Sequence, residues 1–221
     1  MTVAALLLAA GASRRMGSPK PLLPWGDCTL IEWEYAQLMA SCVDEIVVVC
    51  GSRAEHVRRV LGTAEEHLVF NARWPQGRAT SLAAGAAALL RPRREARAPA
   101  TMAAAPAQAA LEAIVIQNVD QPTRTSIIDR LVEARRADDL DVVQPGYDAD
   151  DGKIHGGHPV VVAGRLLTEL SSVTDATYGL RAVLQRHPPR RIPFDRDPAV
   201  WLDLDTPDLV PEARRVFGIR E

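Results

Sequence analysis

The chain has 221 residues, 47% of them apolar and 24% charged, with 26 Lys and Arg against 28 Asp and Glu for a formal net charge of -2. That length and apolar share suffice for one sizeable core, and the near-neutral balance excludes a surface built to hold nucleic acid or an anionic membrane. Three cysteines, Cys28, Cys42 and Cys50, without C-x-x-C spacing exclude a secreted disulfide scaffold and a thiolate zinc site, and point to a reducing cytoplasm.

Residues 3–8 form a short continuous apolar run that ends in a Gly-containing turn, the pattern of a strand buried on both faces. Followed by Gly11-Ala12-Ser13, the run imitates a signal peptide. No Lys or Arg precedes it, however, and Arg14, Arg15 and Lys20 follow it. No stretch approaches the ~20 apolar residues of a membrane span. Residues 30–39, behind Thr29 as cap, are a predicted helix. Residues 45–50, Glu-Ile-Val-Val-Val-Cys, are a predicted strand stopped by Gly51. Residues 54–61 follow as a helix with Val57, Val60 and Leu61 on its apolar side. Residues 81–90 are a helix of almost only Ala and Leu, and residues 113–116 a third strand. Between these two, residues 91–110 are Arg, Ala and Pro with no periodic apolar face. Pro92, Pro99 and Pro106 break any helix there, so the segment reads as an exposed, partly disordered insertion in a single domain over residues 1–221.

Beyond Asp120 the spacing predicts a helix over 127–136 and a strand over 141–144 that Pro145-Gly146 terminates. A short strand over 159–162, helices over 165–170 and 178–185, and edge strands over 191–194 and 200–202 follow. Thr206-Pro207-Asp208 starts a last helix, with Thr206 as cap. Strands alternating with helices predict an α/β fold: a three-layer αβα sandwich on a Rossmann-like, mostly parallel sheet with a mixed C-terminal part.

Three segments carry candidate chemistry. The turn from Leu8 to Lys20 is rich in small residues and leaves a buried strand, so its backbone N–H groups can approach a ligand. Arg15 and Lys20 add fixed positive charge, and the whole is an anion cradle suited to a triphosphate. The Walker spacing is absent, because Lys20 lies three residues past Gly17, and G-x-G-x-x-G fails at Ser13. Asp120, in Gln117-Asn118-Val119-Asp120-Gln121-Pro122, stands at the carboxyl end of a central strand, where open α/β sheets bind ligands, although an Asp there also serves as a plain helix cap. Asp203 and Asp205 are one residue apart on an extended segment and point the same way, so both can face a metal; alternatively Asp205 assists the Thr206 cap and Asp203 is solvated.

Read as L-A-A-G-A-S-R-R-M-G-S-P-K, residues 8–20 resemble the signature L-A-[AG]-G-x-[SG]-x-R-[MF]-G-x-x-K of the MobA-like nucleotidyltransferases, the family of the molybdenum-cofactor guanylyl- and cytidylyltransferases. The resemblance implies a fold like that of the nucleotide-diphospho-sugar transferases. It also implies a nucleoside triphosphate bound by Leu8, Ala9, Ala10, Gly11, Arg15 and Lys20, with Arg15, Lys20 and Asp120 as the catalytic groups. Residues 117–122 are similar to the family's G-D-[MQ]-P, with Val119 where Gly is usual, which puts the placement of that loop in doubt. Residues 203–207 are similar to D-[IL]-D-T-P. Together the two segments imply Mg2+ held by Asp120 and by Asp203, ahead of Asp205. Residues 71–82 are similar to N-x-x-W-x-x-G-x-x-x-S-L, with Ser81 on the base, and Gly157-His158-Pro159 to G-H-P, with Gly157 and His158 on the substrate side. Without the resemblance His158 is a turn histidine.

Ala10 stands where cytidylyl-transferring members tend to have Ala and guanylyl-transferring members Gly. The resemblance therefore implies CTP, a molybdopterin acceptor and a transient contact with an apo-molybdoenzyme, with no nucleic-acid or membrane partner. A sugar phosphate, phospholactate or methylerythritol phosphate are alternative acceptors, and a non-catalytic nucleotide-binding accessory protein is an alternative role. A nicotinamide-linked reductase is the least favoured reading, because the glycine fingerprint fails and no acidic residue ends the strand at Cys50-Gly51.

Overall fold

The computed structural model describes residues 1–62, 67–91, 111–149, 151–194 and 196–219. From residue 92 onward, the expected insertion lies outside the described residues. In chain order the elements are β1 (Thr2–Ala9), a small hairpin of β2 (Pro24–Trp25) and β3 (Cys28–Thr29), α1 (Leu30–Met39), β4 (Glu45–Cys50), α2 (Ala54–Leu61), β5 (Leu68–Phe70), α3 (Arg78–Leu89), β6 (Leu111–Asn118) and α4 (Thr125–Ala137). The rest are β7 (Val142–Asp148), β8 (Ile154–Gly156), β9 (Val160–Ala163), α5 (Leu167–Ser171), α6 (Leu180–Arg186), β10 (Arg190–Pro193) and α7 (Val210–Phe217).

The main sheet has eight strands in the order β10-β7-β9-β6-β1-β4-β5, with β8 paired to β7. β1 is parallel to both β4 and β6, β5 to β4, and β10 to β7, whereas β9 lies antiparallel between β6 and β7. β1 shows why its run is apolar throughout. Val3, Ala5, Leu7 and Ala9 face one core with Leu30, Ile31 and Leu38 of α1, Val57 of α2, Ile127 and Leu131 of α4 and Ala213 of α7. Ala4 and Leu6 face the other core with Ala79, Leu82, Ala83 and Ala86 of α3, Leu170 of α5 and Val183 of α6. The run that imitates a leader is thus an interior strand of the sheet, between β6 and β4, where each buried Leu contributes roughly 1.5–3 kcal/mol. Among the described residues no helix is long and apolar enough to cross a membrane.

The alanines of α3 have a packing reason. A Cβ added at Gly85 would lie 2.9 Å from Val49 Cγ2 and 3.1 Å from Leu6 Cδ2, so the helix sits directly on β4 and β1. α1 begins as expected, with the Glu32 carboxylate accepting from the Thr29 N–H at 2.7 Å and from its hydroxyl at 2.6 Å.

Several expectations need correction. β7 does not stop at Pro145-Gly146 but runs on to Asp148, because β8 supplies a partner on that side and the Pro145 carbonyl accepts from the Gly157 N–H. Residues 200–202 are no edge strand: Pro198–Val200 is a 3-10 turn capped by the Asp197 carboxylate. Tyr178 is left-handed (φ 60°), so α6 starts two residues later, at Leu180. The short strands β2, β3, β5 and β8 carry too few residues to show a period.

On the far side of the sheet His187 is held between two carboxylates, Nδ1 at 3.0 Å from Asp141 and Nε2 at 3.1 Å from Glu169. The Asp141 contact, with Glu169 beyond it, raises the His187 pKa against the burial that opposes it. A raised folded value means that the stabilisation is full below the unfolded pKa of about 6.5 and is lost as pH rises through the folded value. The site is partly exposed, so screening limits the effect to about 0.5–1 kcal/mol. His187→Gln is therefore expected to lower Tm by about 2 °C near pH 5.5 and to leave it unchanged near pH 9. Thermal unfolding at the two pH values checks this, and an equal shift at both would overturn it.

Candidate active site

β1, β4 and β6 deliver their carboxyl ends to one rim of the sheet, and the loop from Ala10 to Lys20 folds back over it. Ser13 makes the turn at φ 53°; its hydroxyl accepts from the Lys20 N–H at 2.8 Å and its carbonyl from the Met16 N–H at 3.0 Å. Met16 is pinned in the core while Arg14 and Arg15 stay exposed. The loop thereby leads Lys20 inward, to 8% exposure, with its stem under the rim.

A cleft of about 390 Å³ opens here, of a size that suits a nucleotide-scale ligand. Of the residues expected in the site, Leu8, Ala10, Gly11, Arg15, Lys20, Ser81, Asp120 and Asp205 line it. Ala9 does not, since its side chain lies fully in the core beneath. Asp203, Gly157 and His158 stand behind that lining. Val119, where the resembled motif has Gly, also lines the cleft; it is largely buried, and its N–H donates to the Leu8 carbonyl at 3.1 Å, which anchors the loop to the end of β1.

The electrostatic centre is Lys20. Its ammonium is 2.8 Å from Asp120 Oδ2 and 3.0 Å from Asp205 Oδ1, and Arg15 reaches the same Asp205 oxygen at 2.9 Å. Arg78, the first residue of α3, stands 3.7 Å from Asp120. Asp203 is treated differently. Its Oδ2 accepts from Gln121 Nε2 at 3.2 Å, while its Oδ1 is buried with no hydrogen-bond partner. Burial, then the neighbouring charges of Asp120 and Asp205, push the Asp203 carboxyl above its ordinary range, whereas the Lys20 hydrogen bond holds Asp205 below it. Ligand oxygens of Asp120, Asp203 and Asp205 lie within 4.8 Å of one another. The Leu204 N–H donates to the Asp120 carbonyl at 2.8 Å and ties the two segments together. Three carboxylates with one buried, unpartnered oxygen form the all-oxygen donor set that hard divalent cations take.

On the opposite wall Asn71 is buried, its Nδ2 donating to Thr80 Oγ1 at 2.9 Å and Ser81 Oγ at 3.1 Å. Trp74 lies against Gly51 so closely that an added Cβ would be 2.7 Å from the ring and from the Ala10 carbonyl, which explains the glycine at the end of β4.

The Gly157-His158 pair clamps the segment before Asp203. The His158 N–H donates to the Val200 carbonyl at 2.9 Å, and Nε2 lies 2.9 Å from the Leu202 carbonyl, which fixes the proton on Nε2. Burial lowers the His158 pKa to about 4 against that carbonyl and Asp120, so the ring is neutral at physiological pH. At Gly157 an added Cβ would lie 2.2 Å from the Val200 carbonyl.

The residue readings missed Arg78 and Gln121, whose neighbours come from other parts of the chain, and Glu34. The signal for Glu34 was present, as a lone acid on the helical stripe of Ile31 and Leu38.

Residues 5–192 match the model of the MobA-like NTP transferase domain. Nicotine blue oxidoreductase of Paenarthrobacter nicotinovorans is 27% identical over 190 residues, spanning 84% of this chain and 83% of the relative. The crystal structure of the Rv0371c homologue from Mycobacterium sp. strain JC1 is similar at TM-score 0.71 and 26% identity, over 99% of this chain and 98% of that one. Rv0371c of Mycobacterium tuberculosis H37Rv, solved in complex with manganese, has the same fold at TM-score 0.65 and 22% identity, over 97% and 98% of the two chains.

Proposed function

The chain belongs to the MobA-like NTP transferase family, and we propose that it transfers the CMP unit of CTP to the phosphate of molybdopterin with release of pyrophosphate, using Mg2+, for delivery to an apo-molybdoenzyme. One observation carries the reading: a buried lysine shared by two carboxylates, flanked by Arg15 and Arg78 and by a third carboxylate with an open oxygen. This combination suits a substrate that brings both polyanionic charge and a divalent ion.

Asp120 and Asp203, with Asp205 beside them, would hold the ion, which when bound neutralises charge at the α-phosphate. Arg15, Lys20 and Arg78 neutralise the triphosphate and the departing pyrophosphate. The backbone of residues 8–11 lies along the phosphates, and Asn71 holds the Ser81 hydroxyl toward the base. An acceptor phosphate oxygen attacks the α-phosphorus, forming a new P–O bond as the bond to the β-phosphate oxygen breaks in line. The attacking oxygen is already anionic, so no general base is required, in keeping with a His158 that is buried and neutral. Gly157 and His158 shape the acceptor side by holding residues 200–202. The choice of CTP rests on Ala10, and the acceptor on the family resemblance.

The relationship to nicotine blue oxidoreductase favours a second reading, in which the cleft serves redox chemistry and holds a nucleotide without cleaving it. One experiment separates the two. Pyrophosphate release is measured for each nucleoside triphosphate with Mg2+ across molybdopterin and other phosphorylated acceptors, and NADH and NADPH oxidation is followed in parallel. Release with CTP and molybdopterin is the expected result; turnover with GTP alone overturns the base assignment, and cofactor oxidation without release overturns nucleotidyl transfer.

A further inference from the structure

A buried acid that the transfer reaction does not use lies beneath the carboxylate cluster. Glu34 of α1 is fully buried, and none of its hydrogen bonds comes from a charged group. Its Oε1 accepts from the Thr123 N–H at 3.1 Å and its Oε2 from Gln117 Nε2 at 2.9 Å, so it grips the loop three residues to either side of Asp120. The same Gln117 amide donates to the carbonyls of Asn118 at 3.1 Å and Gln121 at 2.5 Å. Gln121 in turn accepts from Asn118 Nδ2 at 2.7 Å, which orients its own Nε2 toward Asp203. A continuous run of hydrogen bonds therefore leads from the interior of α1 to the Asp203 carboxylate, and its two anchors, Gln117 and Thr123, bracket Asp120 on the same loop.

A carboxyl group with only amide donors is costly in an apolar interior, and a helix face completed by Leu or Ile would be more stable. Burial pushes the Glu34 carboxyl well above its ordinary range, with the two donors opposing. Stability of α1 therefore does not account for the residue, whereas fixing the curve of the 117–123 loop does.

We propose that Glu34 is a positioning residue: through Gln117, Thr123 and Gln121 it sets the placement of Asp120 and Asp203 and so the affinity of the cluster for a divalent ion. This rests on the ion reading above. Groups that orient metal ligands typically change affinity by about 10–100-fold when removed.

The test is a Mn2+ titration of the full chain, followed by the loss of the free-ion paramagnetic resonance signal. Glu34→Gln keeps the volume, but in either orientation it sets an NH2 against the Thr123 N–H or the Gln117 amide. It is expected to raise the Mn2+ Kd by about 10-fold or more. Leu38→Ala, one turn further along the same buried face of α1 and outside the run of hydrogen bonds to the loop, is expected to lower Tm at least as much while leaving the Kd within about twofold. A Kd for Glu34→Gln within twofold of the parent, or an equal rise in Leu38→Ala, overturns the proposal. Should Glu34→Gln not fold, Gln117→Met is read in the same way. Absence of Mn2+ binding by the parent chain overturns the ion reading itself and this inference with it.

Discussion

Replacing Asp120 with Asn is expected to lower nucleotidyl transfer by about 10²-fold or more while the fold stays intact, the scale of a lost charge-stabilising group. The fold survives because the structural tie at this position is made by the backbone: the Asp120 carbonyl accepts from the Leu204 N–H and does not depend on the side chain. Asn is isosteric, and Lys20 retains Asp205 at 3.0 Å. What is lost is one of the three carboxylates proposed to hold the ion and the partner that holds Lys20 at 2.8 Å. Pyrophosphate release at saturating CTP, beside a circular dichroism melt, checks both halves. Near-full activity would remove Asp120 from the chemistry.

Lys20→Met is expected to damage both activity and stability. The ammonium is the only cation among the described residues that touches both Asp120 and Asp205, and it is 8% exposed. Without it, Asp120, Asp203 and Asp205 repel one another in a poorly solvated site. Breaking a buried pair by removing one partner costs about 3–5 kcal/mol. The carboxylates here keep some access to solvent, which places the loss near the lower end, about 3 kcal/mol, or about 6–12 °C in Tm for a chain of this size. Transfer falls by about 10²-fold or more, because the triphosphate loses its most buried countercharge. A divalent cation should restore more of the Tm in Lys20→Met than it adds to the parent, because the ion then replaces the missing charge and binds only the folded state. Thermal unfolding with and without Mg2+ reads this directly. An unchanged Tm, or equal ion effects in the two proteins, would show that the three carboxylates do not share one site.

Both predictions concern residues that were legible as sequence, but not their relation to one another. Lys20 was legible because it sits at a fixed distance from a buried strand and a small-residue turn. Asp120 was legible as an acid at a strand end. That the Lys20 ammonium lies between Asp120 and Asp205 instead of in solvent was not, because the three belong to segments that meet only when the sheet forms. The two neighbouring acids differ in a way that sequence could not show: Asp203 has a buried, unpartnered Oδ1, whereas Asp205 is paired with Arg15 and Lys20. His158 was read as a residue on the substrate side, and the structure places its ring on the Leu202 carbonyl behind the cleft. A histidine beside glycines looks the same in sequence whether it meets ligand or backbone.

By itself the sequence determined the features that depend on near neighbours. These are the buried strands β1, β4 and β6, the capped start of α1, the small-residue helix α3 and the cationic loop with its spacing from Arg15 to Lys20. Each follows from chain stiffness, hydrogen-bonding capacity and hydrophobic period over a few residues. Only the tertiary structure decided that β9 enters antiparallel between β6 and β7, that β7 continues past Pro145, and that Glu34 supports a loop more than 80 residues away. The physical reason is desolvation. Whether an acid is a cap, a solvated charge, an ion ligand or a buried brace depends on which groups exclude water from it. Those groups come from distant parts of the chain, brought together only when burial repays the entropy of closing the loops between them.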